Sequence, residues 1–102
     1  MLNKLNSVQR EAATYLDGPL LVLAGDAISP SVASTLLRGE QMIGGLNALG
    51  LDLATFGNHE FDFGPSVLAQ RMRESAFTWL SANVLDRRSG RPFGGARPDV
   101  IL

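Results

Sequence analysis

The chain has 102 residues, enough for one small domain with a single core. Hydrophobic residues make up 45% of it, charged residues 19%, and the net charge is −1. That balance excludes a disordered chain and gives no electrostatic reason to expect nucleic acid, a membrane or an acidic partner. The absence of cysteine excludes disulfides and thiolate metal sites.

No apolar run approaches the roughly 20 residues of a membrane span. Residues 1–9 do not read as a secretory signal, so the chain as written is expected in the cytoplasm. Residues 5–16 read as an amphipathic helix: Leu5, Val8, Ala12, Tyr15 and Leu16 recur at helical spacing, with Gln9, Arg10 and Glu11 on the other side. Asp17-Gly18-Pro19 ends it by a turn. Residues 20–24 form an apolar run too short for a usual helix and predict a strand buried on both faces, as parallel strands are. A loop follows over residues 25–30.

A helix is expected over about 32–49, broken near Gly39, with Met42, Ile43, Leu46 and Leu49 on one stripe and Gly50 as its stop. Gly44 and Gly45 weaken a helix, and their presence suggests close packing on a neighbour. Residues 51–56 read as a second strand, 57–64 as a loop, and Pro65 opens a helix running to about Glu74. Residues 76–82 read as a third strand, with Trp79 in the core. Residues 87–95 read as a loop, whose Arg87, Arg88 and Arg91, with Arg97, form a solvated basic turn. Residues 100–102 look like a further strand. The alternation predicts an α/β fold with a partial parallel sheet and crossover helices. Its open sheet edges offer a route to self-association.

Loops at the carboxyl ends of parallel strands are the usual ligand sites. Two qualify, one with Asp26 and one with Asn58 and His59, and the strands place both at the same sheet edge. A carboxylate can bridge two divalent cations, an amide oxygen can complete one metal's shell, and an imidazole can stabilise or protonate a phosphoryl group beside them. Taken singly, each residue also has a plainer reading. Asp26 suits a turn or helix cap, His59 a solvated loop, and Asn58 a left-handed turn position.

Gly25-Asp26 followed by Gly57-Asn58-His59-Glu60 resembles the paired motifs of the metallophosphoesterases. The longer run to Phe61-Asp62-Phe63-Gly64 is similar to the 5′-nucleotidase branch, as is Ser81-Ala82-Asn83-Val84 after the third strand. The resemblance covers about residues 20–102. It implies part of a four-layer metallophosphoesterase sandwich, a pair of divalent metals of the Mn, Zn or Mg type, a nucleotide or other phosphoester substrate, and a family often exported. By position it makes Asp26 the carboxylate bridging both metals, Asn58 a ligand of one, and His59 the catalytic histidine. Glu60 and Asp62 are left to support the loop. The family also has an Asp-x-His motif ahead of the Gly-Asp motif and a Gly-His-x-His motif downstream. His59 is the only histidine in the chain, so neither is present. The resemblance therefore implies a chain with most metal ligands missing and little or no activity alone.

The front of the chain resembles something else. Leu5-Asn6-Ser7-Val8-Gln9-Arg10-Glu11-Ala12, with Asp17-Gly18-Pro19 and the apolar run to Gly25, is similar to the start of a superfamily-one DNA helicase. That likeness makes Gln9 a contact to adenine. It stops where a phosphate-binding loop should begin, because Lys4 is the only lysine and no Lys-Ser/Thr follows Gly25. The two resemblances meet at residues 20–25 and imply a chimera. Residues 1–25 would then be a helicase-like helix and strand, and residues 26–102 the nucleotidase-like part. The alternatives to a hydrolase segment are a nucleotide-binding module of helicase origin and a structural chimera without activity.

Overall fold

The computed structural model describes residues 18–101. The helix expected over 5–16, and Gln9 with it, lies outside the described residues, as does Leu102.

Three short strands, β1 (Val22–Ala24), β2 (Leu53–Thr55) and β3 (Thr78–Leu80), form a parallel sheet in the order β1-β2-β3. Val22, Leu53 and Thr78 stand in register, followed by Leu23, Ala54 and Trp79. The α/β class with crossover helices is as the sequence predicts. The crossover from β1 to β2 holds two helices, α1 (Val32–Leu37) and α2 (Glu40–Leu49), and the crossover from β2 to β3 holds α3 (Pro65–Glu74). The break between α1 and α2 falls at Arg38 and Gly39, both with positive φ. Gly39 is needed there, since a Cβ would run into the Ile28 side chain. Ser31 caps α1 by accepting the amide of Ser34 at 2.9 Å.

Helices α2 and α3 cover one face of the sheet. Ile43 and Leu68 pack in one core with Ala54, Phe77 and Trp79, and Leu23 and Phe56 join it at the margin. Asn47 ties the two helices together: its Nδ2 donates to the Glu74 carbonyl at 2.9 Å and its Oδ1 accepts the Ala76 amide at 2.8 Å. At the same amino-terminal end of the sheet, Asp52 Oδ2 accepts the Leu21 amide at 2.9 Å and aligns β1 on β2.

Four expectations are corrected. β1 is not buried on both faces: it is an edge strand with Leu21 42% and Val22 46% exposed, because no described strand or helix lies beyond it. Gly44 and Gly45 have no neighbour within 4 Å of a built Cβ, so close packing does not account for them. The stripe on α2 is narrower than expected, with Ile43 buried but Met42 and Leu49 exposed, since only one turn of the helix faces the sheet. Val100 and Ile101 are in no strand. Instead Arg97 bridges to Leu80 in parallel, its amide donating to Trp79 O at 2.9 Å and its carbonyl accepting from Ser81 at 2.8 Å.

Candidate functional site

The loops after β1 and β2 meet at the carboxyl edge of the sheet, and the residue that joins them is Glu60. The second loop begins with a 3₁₀ turn, Asn58–Phe61. Glu60 is its third residue and is fully buried. One carboxylate oxygen accepts the amides of Ala27 and of Ile28, the latter at 3.3 Å. The other accepts the amides of Asp26, at 2.8 Å, and of Gly57, the residue that opens its own turn. Four backbone donors from two loops more than 30 residues apart thus converge on one side chain. Buried amides left without an acceptor are costly, so the carboxylate fixes the loops relative to each other.

Two glycines permit this approach. A Cβ at Gly57 would overlap Asp26 Oδ1, and one at Gly25 would lie 3.0 Å from the Gly57 backbone. Asp26 itself has φ 56, a left-handed conformation that a non-glycine residue holds only at a cost. The left-handed position that the sequence offered to Asn58 therefore belongs to Asp26. Asn58 starts the 3₁₀ turn and is exposed.

The geometry brings Asp26 and His59 together. Asp26 Oδ1 accepts the His59 amide at 3.2 Å. The His59 ring turns to Asp62, with Nδ1 2.9 Å from Oδ2, and the Ser29 hydroxyl donates to that same oxygen at 2.7 Å. The hydrogen bond from the ring to Asp62 raises the His59 pKa, with smaller help from the charges of Asp62, Asp26 and Glu60. The Ser29 hydroxyl, and then His59, lower that of Asp62. An ionised Asp62 requires a proton on Nδ1, which fixes the tautomer and leaves Nε2 for other chemistry. Phe61, between Glu60 and Asp62, anchors the turn by packing edge-on against Phe56 and Phe93, with centroids 6.0 and 5.6 Å away.

Sequence reasoning named Asp26, Asn58 and His59 and left Glu60 and Asp62 as supports. It missed Ser29, which carries no local signal. The weight carried by Glu60 had one available cue: an acid three residues after the residue that opens a helical turn often reaches back to that residue's amide. As for metal, Asp26 and Asn58 present oxygen donors of the right kind. No group of three or more His, Cys, Asp or Glu side chains among the described residues is placed to hold an ion. Among the described residues this donor set supplies part of a metal shell.

The paired loops stand at the carboxyl edge of a parallel sheet, and comparison with known sequences finds the chain similar to 5′-nucleotidases and a related nucleotide phosphoesterase over about four fifths of its length. The chain is 35% identical over 86 residues to protein UshA of Salmonella pullorum, an alignment covering 84% of the chain and 16% of that protein. It is 36% identical over 83 residues to a probable 5′-nucleotidase of Treponema pallidum, covering 81% of the chain and 14% of the relative. It is 35% identical over 82 residues to the trifunctional nucleotide phosphoesterase protein YfkN of Bacillus subtilis, covering 80% and 5%. The chain thus spans a small part of the length of each. No family model matches it. Among the described residues no helix is long and apolar enough to cross a membrane.

Proposed function

We propose that the chain is the part of a metal-dependent phosphoester hydrolase of the 5′-nucleotidase type that carries one bridging carboxylate, one amide ligand and the catalytic histidine. Asp26 would bridge the two metals, Asn58 would ligate one, and His59 would face the phosphoryl group of a nucleotide or similar phosphoester. The metals, when bound, would supply charge neutralisation and an activated water. The observation that carries this reading is the Glu60 clamp, which holds Asp26 and the Asn58-His59 turn against each other. The residues present do not fit two complete metal shells, so the chain alone is expected to bind divalent metal weakly and to turn over no phosphoester.

Manganese is paramagnetic and tests both halves of the reading. Titrated into labelled chain, it should broaden the amide signals of Asp26, Asn58 and His59 first. Broadening centred elsewhere would remove the assignment. Robust manganese-dependent phosphatase turnover abolished by His59→Ala would instead overturn the claim of inactivity.

We read residues 1–25 as a helicase-like unit joined to the nucleotidase-like residues 26–102. An ATP-binding function for it is not favoured. The consecutive amides of Asp26, Ala27 and Ile28, which could cradle a phosphate, are taken by the Glu60 carboxylate. A melt with ATP checks this, since a ligand at 100 times its Kd adds about 2.7 kcal/mol. No shift is expected, in the parent chain or in Gln9→Ala.

A further inference from the structure

Ser29 ends the stretch of the first loop that Glu60 holds. Its neighbour Ile28 is fully buried and gives its amide to Glu60 at 3.3 Å. Ser29 is itself buried, while the side chains of His59 and Asp62 are 37% and 36% exposed. Among the described residues, the Asp62 carboxylate has two side-chain partners. The Ser29 hydroxyl donates to Oδ2 at 2.7 Å, and the His59 ring meets that same oxygen at 2.9 Å. A buried hydroxyl needs an acceptor, and a nearby carbonyl would serve that need alone. This one instead reaches an exposed carboxylate 33 residues away, on the oxygen that the ring uses. Burial and reach together make Ser29 the fixed end of the contact and the two exposed side chains the held end.

We infer that Ser29 is a positioning residue for His59: by anchoring the Asp62 carboxylate to the Asp26 loop, it fixes the direction in which the imidazole presents Nε2. The hydrogen bonds form a closed circuit. Glu60 holds the amides of Asp26, Ala27 and Ile28, and Ser29, next in the chain, holds Asp62. Asp62 holds the His59 ring, and the His59 amide returns to Asp26 Oδ1 at 3.2 Å. The histidine is therefore tied to the Asp26 loop twice, through its backbone and through its ring. The backbone tie alone leaves the ring free to turn about its side-chain dihedrals. The second tie removes that freedom, as the third member of a nucleophile, base and orienter set does for its base. Two donors converging on one oxygen also restrict the carboxylate rotamer, since Asp62 must satisfy both directions at once. A carboxylate acceptor at Nδ1 makes that nitrogen the donor, so the ring's free nitrogen is Nε2. Which reaction that nitrogen serves rests on the phosphoesterase reading; the orienting role does not.

The role is read from the ring itself, with neither metal nor substrate added. His59 is the only histidine, so long-range proton–nitrogen spectra of the ring have a single source. In the full chain, at a pH where the ring is neutral, the Nδ1-protonated tautomer should predominate, although a free histidine side chain favours the other. Ser29→Ala should reverse the ratio and make the Nε2-protonated form the major one. Ser29→Thr, which keeps the hydroxyl, should restore the parent ratio. The Ala27 and Ile28 amides should keep their protection from hydrogen exchange in Ser29→Ala, because Glu60 still accepts them. A parent ring protonated on Nε2, or an unchanged ratio in folded Ser29→Ala, overturns the inference. Loss of that amide protection also overturns it, since Ser29 then acts by holding its own loop. Where Ser29→Ala does not fold, Ser29→Cys, a weaker donor of similar shape, carries the same test: an intermediate ratio supports the inference and an unchanged one overturns it. The manganese titration succeeds or fails independently of these spectra, so the phosphoesterase reading and the role of Ser29 fall separately.

Discussion

At Gly57 a single hydrogen atom decides whether the two loops can meet, because any larger side chain would occupy the place of the Asp26 carboxylate. Gly57→Ala should therefore displace Asp26 and abolish manganese broadening at Asp26, while the melting temperature falls less than in a core variant. His59 offers a second test at this scale. It is the only histidine, so one ring signal follows its titration. The bond to Asp62 raises its pKa in the folded chain. Stability from this pair is then fully present below the ordinary histidine value and is lost as pH rises through the raised one. Asp62 works in the opposite sense: its pKa is lowered, so its contribution is present above the ordinary carboxylate value and is lost as pH falls through the lowered one. Asp62→Asn should return the His59 midpoint towards the ordinary histidine value near 6.5. An unchanged midpoint would mean that the ring does not face Asp62.

The elements divide into those held by packing and those held by a single polar side chain. Helix α3 belongs to the first kind. Pro65 sets its start, where no amide donor is required, and Leu68 is fully buried against the sheet. Leu68→Ala should cost about 2–5 kcal/mol, read from the urea midpoint. The 3₁₀ turn of Asn58–Phe61 belongs to the second. Glu60→Ala would orphan amides of Asp26, Ala27 and Gly57. With buried unpaired donors costing about 1–3 kcal/mol each, it should destabilise the chain by more than about 2 kcal/mol. Glu60→Gln, with one acceptor oxygen in place of two, should fall between Glu60→Ala and the parent. Much of this element's outline is legible from residue types. Pro65 and Gly50 mark the helix ends they were expected to mark, and Trp79 lies in the core. Burial of Arg71, which pairs with Glu74 one turn along, is not legible, because it depends on tertiary packing rather than on residue type.

For the whole molecule, the alternation of apolar runs with amphipathic stretches determined a parallel α/β sheet, and the eight-residue motif from Gly57 to Gly64 carried the resemblance to the nucleotidases. Both are properties of neighbouring residues and survive in the sequence alone. The motif also supplied Asn58 and His59, and the Gly25-Asp26 pair supplied Asp26, since their types and strand-end positions are local facts. Tertiary structure decided the rest. An apolar run such as residues 20–24 has the same composition in a central strand as in an edge strand, and only the strand order exposes Val22. A glutamate within a loop motif reads only as a support of its own loop until a loop 32 to 34 residues earlier closes over it. Ser29 enters the His59–Asp62 pair from the same distance. The sequence thus carries the identity of the candidate site residues. Their relative positions come from one buried carboxylate whose partners are brought to it only by the closure of the sheet.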